Sequence, residues 1–196
     1  MSKGLAFGLI ILAVLTLVLV SGCRGLAPTA ARTKAEPPRT QPPAGQPAAG
    51  TGEGVGQKAP DFTVTDVDGK GHSLKDYGGK VLVVDFWATY CRPCLEHLRD
   101  YNSAYDELSR QGAEFLALSM DPSEEVIRGW RPRGFNIPLA RLDDKTHAAF
   151  FGKAEKIVEI PQVRIIDRKG LLRYSLGPEA TSAQVLEDVR SLLEEK

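Results

Sequence analysis

The chain is poor in cysteine, with Cys23, Cys91 and Cys94 as the only three among 196 residues. No second CxxC and no pair of histidines at ligand spacing accompanies them, so the pattern does not supply a four-ligand zinc site. Net charge is missing as well: 25 Lys and Arg balance 25 Asp and Glu. That balance removes any electrostatic reason to expect a nucleic-acid partner. Nor is there an apolar run of full membrane-spanning length. The stretch from Leu5 to Val20 holds sixteen residues, slightly fewer than the roughly 20 a spanning helix needs.

What that stretch does have is a short positive start, Lys3, and small residues at its end, Ser21 and Gly22 before Cys23. This is the order of an export signal. Val20-Ser21-Gly22-Cys23 resembles a bacterial lipobox. The resemblance implies cleavage before Cys23, diacylglycerol on its sulfur and attachment to a membrane. The competing reading is an uncleaved membrane anchor. Both put the rest of the chain outside the cytoplasm, where disulfide chemistry persists. Residues 1–22 are therefore read as a lipoprotein-type signal peptide, and 23–56 as a disordered tether rich in Pro, Ala and Gly. The tether has no apolar periodicity with which to bury a core. A Pro-rich recognition segment is the other use for such a composition. Residues 57–196 remain as one folded domain, long enough to bury about two-thirds of its surface.

The domain is organised around VLVVDFWATYCRPCLEHL, residues 81–98. Its opening apolar run reads as a strand buried on both faces. Past the cysteines the period becomes helical, with Cys94, Leu98, Tyr101, Tyr105 and Leu108 on one face and Gly112 at the C-terminal end. Cys91 thus falls where a strand becomes a helix. Free N–H groups and the positive end of the helix dipole favour a thiolate there. Arg92 adds positive charge, and Pro93 suits a first helical turn. Cys94 lies one helical turn on, within reach for a reversible disulfide. A permanent staple is the alternative, but so short a loop removes little unfolded-state entropy.

Val84-Asp85-Phe86-Trp87-Ala88-Thr89-Tyr90-Cys91-Arg92-Pro93-Cys94 resembles the active-site strand and turn of the thioredoxin superfamily. The likeness extends from Gly56 to Glu195 and to its TlpA/ResA-like branch, through GQKAPDFTVTDVDG before this segment and IP…IIDRKG after it. It implies an α/β thioredoxin fold: a central mixed sheet flanked by helices, with an N-terminal β-hairpin and a central helical insertion. The hairpin would turn at Asp68-Gly69, between Phe62-Val64 and Leu74. A second buried strand follows at Glu114–Met120. Helical segments follow at Ser123–Trp130 and Thr146–Phe151 and, after a hairpin over Arg168-Lys169-Gly170, at Thr181 onward. Arg128, Arg131 and Arg133 around Trp130 read as a solvated face.

The resemblance also assigns roles. Cys91 would be the nucleophile and Cys94 the resolving thiol. Asp85, if buried, has a raised pKa and can accept the resolving thiol's proton; a strand-end aspartate turned to solvent is the alternative. His97 takes the place where this branch commonly carries glutamate. It would either face the site and tune Cys94 or sit on the helix's solvent side. Ile160-Pro161 corresponds to a cis-proline loop whose backbone pairs with incoming peptide. Trp87, Tyr90, Arg92 and Pro93 complete the expected substrate surface around Cys91, with ordinary core packing as the alternative for Trp87.

The implied activity is thiol-disulfide exchange without cofactor or metal, acting on exported proteins such as apocytochrome c. Electrons would come from a membrane donor, and the domain would work as a monomer. Two other functions use the same cysteines: a Cu(I) metallochaperone with Cys91, Cys94 and His97, and a thiol peroxidase, for which no peroxidatic motif is present.

Overall fold

The computed structural model describes residues 54–132, 134–153 and 158–195. The expected signal peptide, the expected lipidation at Cys23 and nearly all of the expected tether fall outside the described residues.

Thr63–Thr65 (β1) and Gly71–Ser73 (β2) form an antiparallel hairpin, and a 3-10 turn follows at Leu74–Tyr77. Gly69 makes the reversal possible, because its φ of 87° is a conformation that residues with a Cβ avoid. The continuous apolar run becomes Val81–Trp87 (β3), all seven residues of which are buried. Arg92–Arg110 (α1) carries the chain back to Ala113–Ser119 (β4), parallel to β3. Glu124–Trp130 (α2), Leu139–Arg141 (β5) and Asp144–Phe151 (α3) form the insertion. Gln162–Ile166 (β6) and Leu172–Leu176 (β7) add an antiparallel pair, and Ser182–Glu194 (α4) closes the domain. The five-stranded sheet runs β5-β4-β3-β6-β7, mixed as expected. β5 was not foreseen as a strand; it pairs parallel to β4 on the sheet's margin.

Because side chains alternate along a strand, the sheet has two buried faces. Val81, Val83 and Trp87 pack with Cys94, Leu98 and Tyr101 of α1, Ile127 of α2 and Val185 and Val189 of α4. Leu82, Val84 and Phe86 pack on the other face with Phe62 and Val64 of the hairpin and with Phe150 and Phe151 of α3. Fully burying one such Leu or Phe stabilises the fold by about 1.5–3 kcal/mol.

The hairpin is tied to the insertion. Arg128 Nη2 donates to Val67 O at 2.8 Å, and Arg131 pairs with Asp68. Arg128 stays largely exposed, as a solvated face requires, while its head group anchors the hairpin; Arg131 is more covered, and Arg133 lies outside the described residues. Beneath the turn, buried His72 is held at both ring nitrogens, by Tyr77 OH at 2.7 Å and Asp66 Oδ2 at 2.8 Å.

Candidate active site

Cys91 is the N-cap of α1, and Cys94 N donates to its sulfur at 3.3 Å. A backbone N–H aimed at that sulfur is the electrostatic feature that favours a thiolate. Arg92 and Pro93 occupy the first helical turn, where proline has no backbone hydrogen bond to lose. A disulfide joins Cys91 and Cys94, whose Cα atoms lie 5.3 Å apart. Cys91 keeps 7% of its surface exposed while Cys94 has none, so an attacking group reaches Cys91 first. Arg92 points into solvent and meets Glu96 at 3.5 Å, an exposed pair worth about 0.3–0.5 kcal/mol.

The loop before Cys91 is fixed from a distance. Thr89 donates to Asp121 through its backbone N at 2.9 Å and through Oγ1 at 2.8 Å. Ser119 Oγ donates to the same carboxylate at 2.6 Å. Met120 N reaches Trp87 O at 2.8 Å, and Cys91 N reaches Ala88 O at 3.0 Å. Buried Asp121, beyond β4, thereby sets the path along which the chain enters the helix. Sequence reasoning missed it. The only signal was an acidic residue just past the end of a strand adjacent to β3.

Alternation puts Asp85 on the α1 face of the sheet, between Val83 and Trp87. It is buried, with neither carboxylate oxygen hydrogen-bonded among the described residues. Burial pushes its carboxyl above the usual range, against the smaller opposing pull of His97 and Tyr101. His97 is buried too, not turned to solvent. Its Nδ1 stands 3.8 Å from Asp85 Oδ2, and Tyr101 OH lies 3.3 Å from that nitrogen. Burial, with Asp85 as the next cause, keeps the Tyr101 phenol protonated at any ordinary pH. Asp85, His97 and Tyr101 thus form a buried polar row beneath the helix that carries the dithiol.

The peptide bond Ile160-Pro161 is cis. β6 starts at Gln162 and pairs antiparallel with β3, Phe86 opposite Gln162. This register sets the loop beside the end of β3 from which the chain proceeds to Cys91. Tyr90 stands out from the surface, 74% exposed. Trp87 does not, and the expectation that it contributes substrate surface is corrected. It is wholly buried, its ring 4.7 Å from that of Trp130. As the seventh residue of a strand covered on both faces, it had no outward direction to take. Among the described residues no group of three or more His, Cys, Asp and Glu side chains could hold a metal ion.

Residues 55–175 match the AhpC/TSA family. The chain is 31% identical over 147 residues to the thiol-disulfide oxidoreductase ResA of Geobacillus thermodenitrificans (strain NG80-2), covering 74% of this chain and 79% of that protein. It is 37% identical over 132 residues to the ResA of a Bacillus cereus strain, covering 67% of this chain and 74% of that protein. Among solved structures it resembles a thiol:disulfide interchange protein of the thioredoxin family from Chlorobium tepidum TLS. There the TM-score is 0.62 at 26% identity, over 69% of this chain and 95% of that one.

Proposed function

The chain belongs to the AhpC/TSA family, as a ResA-like thiol-disulfide oxidoreductase of thioredoxin fold, and from that membership we propose that its Cys91–Cys94 pair reduces disulfides of exported proteins. The observation that carries the proposal is the asymmetry of the pair. Cys91 caps a helix and meets solvent, whereas Cys94 is sealed beneath it.

In the forward direction the reduced Cys91 thiolate attacks one sulfur of the substrate disulfide. A mixed disulfide forms and the other substrate sulfur leaves as a thiolate. Asp85 accepts the proton of Cys94, directly or across the buried row. The Cys94 thiolate then attacks Cys91 Sγ, restoring the disulfide seen here and releasing the second substrate sulfur. Two electrons pass to the substrate, whose thiolates take protons from water. His97 tunes the Cys94 proton through Asp85. Tyr90, Pro93 and the backbone of Ile160 receive the polypeptide, with Arg92 at the rim.

The lipobox-like segment supports a lipid anchor at Cys23, hence an extracytoplasmic place at a bacterial membrane and a membrane partner that returns electrons. Exported proteins such as apocytochrome c are the substrates the family resemblance suggests, and the domain would act as a monomer.

The test uses insulin-disulfide reduction. Cys91→Ser should abolish turnover, while Cys94→Ser should accumulate a mixed disulfide visible by non-reducing electrophoresis. Full turnover in Cys94→Ser would reverse the assignment. Loss of membrane association in Cys23→Ala would support the anchor, and unchanged fractionation would remove it.

A further inference from the structure

On the sheet face away from α1, strand β6 buries an arginine. Arg164 stands opposite Val84 and is 7% exposed, yet no carboxylate pairs with it among the described residues. Its guanidinium lies 5.1 Å from the ring centre of Phe151. Among the described residues only Nη1 is engaged, donating to Val163 O at 3.0 Å, Gln162 Oε1 at 3.1 Å and Leu176 O at 3.5 Å. Nε and Nη2 donate to no described group, and together they form the planar fork that grips a carboxylate at both oxygens. A second basic side chain packs on the same ring. His147 is buried with its centroid 5.2 Å from that of Phe151, and its Nδ1 has no partner among the described residues. Burial also pushes the Arg164 guanidinium down to about 10.

We propose that Arg164, with His147 beside it on Phe151, is a carboxylate-binding subsite that selects disulfide substrates with an acidic residue next to the reacting cysteine. The inference rests on the oxidoreductase reading, since it takes the incoming peptide to pair with the backbone of Ile160. An extended peptide sends successive side chains to opposite sides. If its cysteine turns to Cys91, on the α1 face, the flanking residues turn to the α3 face. Gln162 directly follows the cis-proline, and Arg164 lies about 7 Å further along the same face at strand spacing. Gln162 Oε1 already holds Nη1, which fixes the guanidinium's free edge.

The experiment uses three disulfide-linked peptides identical except for Glu, Gln or Lys beside the cysteine. KM for the Glu peptide should be about tenfold lower than for the Gln peptide, equivalent to about 1.4 kcal/mol, and the Lys peptide should be poorest. Arg164→Met should erase the ranking, and Arg164→Lys, which keeps the charge without the fork, should restore part of it. Equal KM values for Glu and Gln peptides with the wild-type protein would overturn the proposal without recourse to any variant. Binding of cysteine-free versions of the peptides, followed by fluorescence anisotropy, reads the subsite when no chemistry occurs. The same Glu-over-Gln ranking supports the subsite there, and its absence overturns it. Wild-type turnover of the neutral hydroxyethyl disulfide separately tests the oxidoreductase reading.

Discussion

Replacing Asp85 with asparagine should make the oxidised protein more stable at high pH and a slower reductant. The carboxylate is 2% exposed and accepts no hydrogen bond among the described residues, so ionising it in the fold is costly. In the unfolded chain the group titrates near 3.8; in the fold it titrates higher, chiefly through burial. The unfolded state therefore loses its proton first. Stability from this group is complete below pH 3.8 and falls as pH rises through the folded value. The fall is about 1.4 kcal/mol for each unit of upward shift, and it levels off above the folded pKa. Asparagine cannot ionise, so the stability of Asp85→Asn relative to wild type should rise as pH climbs above 3.8 and level off once the folded carboxyl has ionised. Urea unfolding of both oxidised proteins at several pH values measures this. In the same variant, single-turnover reduction of insulin should slow by about 100-fold below neutral pH, the lower end for a lost general base. The deficit should shrink as pH rises and Cys94 ionises unaided. A stability difference that stays flat with pH, or a rate deficit independent of pH, refutes the reasoning.

Asp121→Asn keeps one acceptor oxygen where three donors converge; it should cost about 2–3 kcal/mol in urea unfolding and lower insulin turnover, and unchanged values would dismiss the strut. Trp87→Ala should destabilise by about 3–5 kcal/mol. Tyr90→Ala should change stability by less than about 0.5 kcal/mol while raising KM for polypeptide disulfides. If that pair of effects were exchanged, the burial described for the two aromatics would be wrong. Tyr77→Phe leaves His72 Nδ1 without its partner and should cost about 1–3 kcal/mol, read from thermal unfolding.

The local grammar of the sequence was largely sufficient for the fold. The continuous apolar run, the helical period after it and Gly69 in its turn each appear where the pattern puts them. β5 escaped notice because three residues cannot establish a period. For His97, periodicity alone left both directions open. Its side chain turns inward because Tyr101, four residues on, belongs to the buried face. Asp121 and Arg164 were invisible for a different reason. Their roles depend on partners 32 residues away for Asp121 and on a helix ring for Arg164, and no local spacing encodes such meetings. For Trp87 the strand's own burial decides in favour of core packing over contact surface.

The residues ahead of β3 have an effect that concerns neighbours more than chemistry. Gln57 and Gly56 exchange backbone bonds with Leu172 at the start of β7, while Asp66 bridges to Ala140 on β5. One short leading segment thus shields ladder groups on both outer margins of the sheet, where bare strands would recruit unfolded chains. A domain built around a sheet is in this way kept from pairing, margin to margin, with other extended chains.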